Sequence, residues 1–289
     1  MTNYLKVFID SFTGYWNYLV YEIAHPHWHN YFYMLILFSL LVWVLEIALP
    51  WRKNQAIFRK GFWMDAFYMF FNFFLFSLVG YNDLSNIGVE LFNNFLSIFN
   101  ISNVVAINIS NTSIWIQFLI MLIVADFIQW AVHYMLHHVP WLWKFHKVHH
   151  SVTEMGFAAH LRFHWMETII YKSALYIPLT MIGFGISDFF VLHAFTTLIG
   201  HLNHANINLS YGPFKYLLNN PVMHIWHHAK TMPEDRPFGM NYGITLSIWD
   251  YIFRTAYVPS SGRDIALGFD DIETYPEDFK GQMIKPFKE

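Results

Sequence analysis

Long apolar stretches separated by short polar segments dominate the first two thirds of the chain. Nearly unbroken apolar runs cover 31–49, 63–80 and 114–132, and each is about as long as a helix that crosses a bilayer. A fourth apolar region, 168–199, is broken near its middle by two glycines, so it is either one helix with a re-entrant segment or a helical hairpin. The pattern predicts an all-α integral membrane protein with about four transmembrane helices.

Composition supports this prediction and excludes several other classes of protein. Hydrophobic residues make up 55% of the 289 residues and charged residues only 13%, whereas about a quarter of the residues of a soluble domain are charged. The net charge of −3 offers no basic surface for nucleic acid. The absence of cysteine excludes disulfides, thiolate zinc sites and cysteine-ligated iron–sulfur clusters.

Basic residues in the loops predict the orientation in the membrane. Segment 50–62 carries four Lys or Arg and segment 133–167 carries three, but segment 81–113 carries none. Because short cytoplasmic loops are enriched in Lys and Arg, we expect the histidine-rich side to be cytoplasmic. The expected location is the inner or plasma membrane of a bacterium, or the endoplasmic reticulum of a eukaryote.

Three parts follow from these patterns. Residues 1–125 are expected to form N-terminal membrane helices and loops, and residues 126–258 a histidine-rich region with a helical cap. Residues 259–289, which are rich in Pro, Asp, Glu and Lys, are expected to form a C-terminal cytoplasmic tail of solvated loops.

Histidines are concentrated in the second part. Of 17 histidines, 14 lie between 133 and 228. They recur as HxxxH from His133, HxxHH from His146, HxxxH from His160, HxxH from His201 and HxxHH from His224. On a helix, positions three and four apart share a face. Each HxxHH box therefore places its first and third histidines on one face, with its second close by.

The number of these histidines favours a site for two metal ions. Imidazole nitrogen binds Fe, Zn, Cu and Ni, and a single zinc ion takes only about four ligands. Two metals would need roughly twice that number, which the boxes supply. The histidines at 25, 27, 29, 138 and 193 are interpreted as structural or membrane-interface residues.

Several segments together resemble one known family, the fatty acid hydroxylase and sterol desaturase superfamily of membrane di-iron enzymes. The segments are DFIQWAVHYMLHH (126–138), LWKFHKVHHS (142–151), LRFHWME (161–167), HANI (204–207), NNPVMHIWHH (219–228) and NYGITLSIWDYIFRT (241–255). The resemblance covers about 126–258 and implies that this is the catalytic region. The closing segment is most similar to the alkylglycerol monooxygenase branch.

The resemblance implies a set of metal ligands and of residues that support them. The implied ligands are His133, His137, His146, His149, His150, His224, His227 and His228, completed by His204 or His201. His160 and His164 are either further ligands or structural residues beside the site. Asp126, Glu154, Glu167, Asn206, Asn241 and Asp250 are expected to orient imidazoles through their other nitrogen.

The resemblance also implies the chemistry. Two irons and O2 would hydroxylate or desaturate a C–H bond of a fatty-acyl, sterol-like or other lipid substrate, with no catalytic residue beyond the metal centre. The two electrons for each turnover are expected from a separate donor protein or a small reductant, because the sequence shows no GxGxxG fingerprint and no cysteines for a cluster.

Two other classes of protein could use many histidines. A membrane protein that transports or stores metal would be expected to place polar ligands along a path within its helices. A bis-histidine haem protein needs only one histidine pair for each haem. The clustering of the boxes at one predicted side of the membrane favours the enzyme.

Overall fold

The structure is a computed structural model that describes residues 4–75, 94–99, 109, 111–184 and 189–289. Within these residues the regular secondary structure is helical apart from three isolated β-bridges, which confirms the all-α prediction. The α-helices are α1 (Tyr4–Ala24), α2 (Tyr31–Ala48), α3 (Phe62–Phe70), α4 (Ile114–His138), α5 (Pro140–His150), α6 (Trp165–Met181), α7 (Phe189–His204), α8 (Pro221–His227), α9 (Ile248–Ile252) and α10 (Phe279–Ile284). Short 3₁₀ turns at Phe157–Leu161 and Gly212–Tyr216 and a π-helix at Phe71–Leu75 complete the parts used below.

Two of the described helices, α2 and α4, are long and apolar enough to cross a membrane. Both begin at a side-chain cap: the Asn30 side chain accepts from the Tyr33 amide, and the Ser113 side chain accepts from the Ile116 amide. Only 22% of each apolar window is buried inside the protein. A core helix of a soluble protein would bury more of such a surface.

The expectation of four spans is not met among the described residues. The run at 63–80 begins as α3 and continues as the π-helix, and its last five positions lie outside the described residues. The region 168–199 forms two helices of 17 and 16 residues, α6 and α7, each shorter than the ~20 residues that a bilayer needs. This region therefore contains two helices, and neither reaches that length.

The chain turns sharply between α4 and α5. Val139 ends the first helix and precedes the second, and Pro140 occupies the first position of α5. Proline fits there because that position needs no amide hydrogen bond, and it cannot continue the preceding helix. Helix α4 packs against α5 and α6, while α7 packs against α2, α8 and the 3₁₀ turn Phe157–Leu161. These contacts bring the four histidine-bearing helices α4, α5, α7 and α8 together.

Part of the C-terminal tail packs against this assembly, so the tail does not consist of solvated loops alone. Gln282 is fully buried, and its side-chain oxygen accepts from the Tyr68 hydroxyl at 2.7 Å. Phe279 packs edge-on against Phe67, Tyr68 and Phe71. Apolar residues spaced among the charged ones anchor the tail, although they are too few to form a recognisable helical period.

Candidate metal centre

Nine of the histidines form two adjacent clusters. The five-histidine cluster consists of His133, His137, His146, His150 and His227, and the four-histidine cluster consists of His149, His204, His224 and His228. Within each cluster, one ring nitrogen from every member lies within 4.8 Å of the others. None of the nine residues is more than 7% exposed, so the nitrogens converge in an interior shielded from water.

Each HxxHH box contributes to both clusters. In the box that starts at His146, the first and third histidines join the five-histidine cluster and the middle one joins the four-histidine cluster. The box that starts at His224 is divided in the opposite sense. The two clusters are in contact, since the rings of His150 and His228 stack with centroids 4.4 Å apart.

The hydrogen bonds of the outer ring nitrogens fix the tautomers of most of these histidines. The Nδ1 atoms donate to backbone carbonyls as follows: His133 to Tyr242 at 2.7 Å, His137 to Phe238 at 3.0 Å, His149 to Arg162 at 3.1 Å, His204 to Gly200 at 2.8 Å, and His227 to Met240 at 2.9 Å. A carbonyl oxygen can only accept, so each of these Nδ1 atoms carries the proton of the neutral ring. The Nε2 atoms are then left with bare lone pairs that point into the clusters.

These lone pairs face one another at close range. The Nε2 atoms of His133 and His146 are 3.1 Å apart, and those of His149 and His204 are 3.3 Å apart. The His149–His204 pair cannot share a hydrogen bond, because both rings hold their proton on Nδ1. The same holds for His133 and His146 when His146 Nδ1 donates to an ionised Glu167. A cation between the nitrogens would turn this repulsion into attraction.

The spacing suits a transition-metal ion. Neighbouring ligands at right angles around a metal with bonds of about 2.1 Å lie about 3 Å apart. Further Nε2 pairs have the same spacing: His150 with His227 at 3.1 Å, His204 with His224 at 3.0 Å, and His224 with His228 at 3.2 Å. The Nε2 atom of His137 is buried with no hydrogen-bond partner among the described residues. The donor set therefore fits one metal ion in each cluster.

Burial keeps the imidazoles of the cap in the form that binds metal. It lowers the pKa of His149 to about 4 and holds the pKa values of His146, His150 and His224 well below the usual range. For the latter three, the neighbouring histidines add to the desolvation, because several positive rings would repel one another. Neutral rings need not lose a proton to bind a metal ion.

Of the polar residues expected to orient ligands, Glu167 does so directly. Its Oε2 atom accepts from His146 Nδ1 at 2.8 Å, and both side chains are buried. Asp250 acts one step further away, since it accepts from the Tyr242 amide and the Trp130 indole. It thereby fixes the residue whose carbonyl binds His133.

Asn241 has a comparable indirect place. It adopts a φ of 56°, which asparagine tolerates better than most residues. Its side chain donates to the Met223 and Tyr257 carbonyls and accepts from the Tyr257 amide. These bonds hold the turn that presents the Met240 carbonyl to His227.

Three other expected residues do not contact a clustered histidine in any described hydrogen bond. Asp126 accepts from the Leu246 amide and the Trp249 indole, and so joins α4 to the segment before α9. Glu154 accepts from the Lys60 amide at the surface. Asn206 hydrogen-bonds the backbone of Arg52.

The structure distinguishes between the remaining histidines. His204 joins a cluster, but His201 lies outside both, with its Nδ1 3.1 Å from His160 Nδ1 and its Nε2 3.2 Å from Ser39 Oγ. His164 donates through Nε2 to the Met283 carbonyl and accepts through Nδ1 from an amide, so both its nitrogens are used. His160, His164 and His201 therefore lie outside both clusters.

Two supports were not foreseen from the sequence. The Asn219 side chain lies 3.4 Å from His224 Nδ1 and also donates to the Gly243 carbonyl. Asp65 is fully buried and forms ion pairs with Arg162 and Arg59. The backbone carbonyl of Arg162 accepts the hydrogen bond from His149 Nδ1. The signal for Asp65 was present, because a carboxylate at the start of an apolar run is costly unless it is paired.

Comparison with known proteins agrees with this arrangement. Residues 118–255, which carry all nine clustered histidines, match the model of the fatty acid hydroxylase family. The matched region makes up just under half of the chain. No solved structure matches the chain.

Three relatives illustrate the range of the family. The chain is 31% identical over 171 residues to the ornithine lipid hydroxylase OlsE of Rhizobium tropici, which covers 59% of this chain and 50% of the relative. It is 31% identical over 161 residues to an alkylglycerol monooxygenase of Xenopus tropicalis, covering 52% of this chain and 31% of the relative. It is 27% identical over 167 residues to a very-long-chain aldehyde decarbonylase of Oryza sativa, covering 51% of this chain and 25% of the relative. The chain thus spans half or less of the length of these proteins.

The expected similarity to the alkylglycerol monooxygenase branch needs correction. The bacterial ornithine lipid hydroxylase is as similar in identity, over a longer stretch and a larger share of both chains. Similarity in the closing segment alone therefore does not assign the chain to one branch.

Proposed function

We propose that this chain is a membrane di-iron oxidoreductase that uses O2 to hydroxylate a C–H bond of a lipid. The observation that carries the proposal is the set of facing Nε2 lone pairs in two adjacent buried clusters. The names of two relatives, an ornithine lipid hydroxylase and an alkylglycerol monooxygenase, favour hydroxylation over desaturation and a lipid as substrate.

In this proposal the five-histidine cluster holds one iron and the four-histidine cluster holds the other. The bound irons would supply the activation of O2 that an unreactive C–H bond requires. The protein's own part is to keep nine imidazoles neutral, to fix their tautomers and to exclude water. The backbone carbonyls of Tyr242 and Arg162 and the Glu167 carboxylate serve the second task.

The first experiment determines the metal and the reaction. Protein purified in detergent should contain about two irons per chain and show no haem absorption band, and with a reductant it should consume O2. Lipids from cells that express the chain should include one class that has gained an oxygen atom. If one lipid class had instead lost two hydrogen atoms, the reaction would be desaturation and the proposed hydroxylation would be refuted. Zinc or iron bound without O2 consumption after iron reconstitution would refute the oxidation and favour a metal-storage function.

Variants test the assignment of the ligands. His149→Ala and His227→Ala each remove one histidine from a different cluster and should abolish activity while leaving insertion into the membrane intact. His138→Ala is the matched control, because His138 follows a clustered histidine in sequence but donates to the Tyr134 carbonyl and stacks on that ring. His27→Ala, in the predicted external segment, should also be silent. Full activity in either cluster variant would refute the site.

A further inference from the structure

The apolar surface of α4 continues onto the segment that follows the last histidine box. Along α4 the exposed side chains include Ile116, Leu119, Ile123 and Phe127, which recur every three or four residues and so share one face. In a helix that crosses a membrane, such a face lies against lipid. This apolar face of α4 does not end with the helix, because α9 and the 3₁₀ turn Gly212–Tyr216 continue it.

The cap meets α4 well above its cytoplasmic end. Asp126 accepts from the Leu246 amide and from the Trp249 indole at 2.9 Å. It lies twelve residues before the last residue of α4, His138, which corresponds to about 18 Å along the helix axis. Helix α9 is therefore attached at a level where α4 is still apolar.

Exposed apolar side chains occur at this level. Phe253 is 49% exposed, and its ring stacks on Trp130 at 4.5 Å and on Phe127 at 6.2 Å. Ile252, beside it in sequence, is 57% exposed. The lipid-facing stripe of α4 and the end of α9 thus form one apolar surface.

The surface extends to the 3₁₀ turn Gly212–Tyr216. The rings of Tyr216 and Tyr251 are 5.0 Å apart. The turn is held to the segment before α9 because the Ser247 amide donates to the Leu217 carbonyl, and its hydroxyl donates to the Lys215 carbonyl. We call the exposed apolar side chains of these two segments the aromatic anchor. Its members are Phe214, Tyr216, Leu217, Ile252 and Phe253.

Two exposed basic residues flank the aromatic anchor. The Lys215 ammonium lies 5.1 Å from the Tyr216 ring, and Arg254 follows Phe253. Aromatic rings with a neighbouring Lys or Arg are typical of the membrane–water boundary, where the ring meets acyl chains and the cation meets headgroups. A soluble partner would not account for the continuity with α4.

We propose that the aromatic anchor lies in the cytoplasmic boundary of the bilayer, with its apolar side chains among acyl chains and Lys215 and Arg254 against lipid phosphates. The proposal rests on the membrane crossing of α4, which is part of the proposed function. It places lipid directly beside α9, where Asp250 fixes the Tyr242 turn that orients His133. A lipid molecule could then approach α9 and the Tyr242 turn, which lie beside the metal centre, without leaving the bilayer.

The absence of cysteine allows a direct test. Nitroxide labels are attached to single cysteines in Phe253→Cys and Phe214→Cys, and the proteins are reconstituted in vesicles of phosphatidylcholine and phosphatidylglycerol. Collisions of each label with O2, which concentrates in lipid, and with a water-soluble nickel chelate are compared by electron paramagnetic resonance. Ile252→Cys replaces the Phe253 variant if that variant does not fold.

Two reference positions calibrate the measurement. Leu119→Cys on α4 is the lipid reference. Phe238→Cys is the matched water reference, because Phe238 is 52% exposed and packs on His138, at the cytoplasmic end of α4. We expect the ratio of O2 to nickel collisions at 253 and 214 to exceed that at 238 several-fold and to approach that at 119. A ratio equal to that at 238 would refute the aromatic anchor. A low ratio at 119 as well would refute the membrane crossing of α4 on which the anchor rests.

Discussion

Replacing Glu167 by glutamine should weaken one metal site and spare the other. Glu167 Oε2 accepts from His146 Nδ1 at 2.8 Å, and both side chains are 3% exposed. Burial raises the pKa of Glu167, and a metal ion on His146 would favour the ionised carboxylate beside it. Glutamine keeps the volume and an oxygen acceptor but removes this carboxylate, which makes the metal-bound imidazole a stronger ligand. His146 belongs to the five-histidine cluster, and no member of the four-histidine cluster is bonded to Glu167 in the described contacts.

The size of the effect follows from the position of the carboxylate. Loss of a partner that orients a metal-bound histidine lowers metal affinity about 10- to 100-fold, which corresponds to about 1.4 to 2.7 kcal/mol. The low exposure of both groups favours the upper part of this range, because water cannot replace the lost charge.

A titration of the metal-free protein measures this change. Chelator-treated protein in detergent is titrated with Co²⁺ against a competing chelator, and visible absorption follows each bound ion. Wild-type protein should bind two ions, and Glu167→Gln should bind one with unchanged affinity and the second 10- to 100-fold more weakly, on the reasoning above. Glu154→Gln is the matched control, since that carboxylate contacts only the Lys60 amide among the described hydrogen bonds. Two unchanged sites in Glu167→Gln, or an equal loss in the control, would refute the role assigned to Glu167.

Three further predictions concern stability. Removal of metal by a chelator should lower the melting temperature, because the facing lone pairs lose the cation between them. Thermal unfolding with and without metal measures this change, and equal melting temperatures would contradict the prediction. Gln282→Leu should destabilise the protein by about 1 to 3 kcal/mol, because the buried Tyr68 hydroxyl loses its acceptor; its melting temperature should fall relative to wild type, whereas that of the exposed-site control Lys280→Ala should not. The metal-free protein should lose stability as the pH falls from about 7 towards 4, because the pKa of His149 is about 4 when folded and 6.5 when unfolded, so the unfolded chain takes up the proton first. This residue alone would contribute roughly 3 kcal/mol to that loss, and melting temperatures unaffected by pH across this window would contradict the reasoning.

The histidine boxes of the sequence lie in the region where the structure brings nine imidazoles together. The family resemblance implied eight of the nine clustered histidines, and it named His204 together with its alternative, His201. Both of these residues lie near the end of α7, so helical spacing could not separate them. The choice depends on packing: His201 faces Ser39 of α2, whereas His204 faces His149.

The supports of the site were harder to predict, for a physical reason. Most Nδ1 protons are taken by backbone carbonyls, such as those of Phe238 and Gly200, and every residue has a carbonyl whatever its side chain. The sequence therefore pointed to carboxylates, and of these only Glu167 bonds a clustered histidine directly in the described contacts. Of the four expected membrane spans, the described residues include two helices long and apolar enough to cross a membrane, α2 and α4.

The division of the boxes explains why paired histidines are useful here. In each HxxHH box the first and third histidines serve one cluster and the middle one serves the other, and the two boxes are divided in opposite senses. Each cluster therefore receives ligands from both α5 and α8, and neither helix can move without disturbing both clusters. A box with a single histidine on each helix could supply ligands to one cluster only, and the second cluster would receive none from these two helices. In each of the adjacent pairs 149–150 and 227–228, one imidazole belongs to the four-histidine cluster and the other to the five-histidine cluster. Each pair therefore links the two clusters through neighbouring backbone positions.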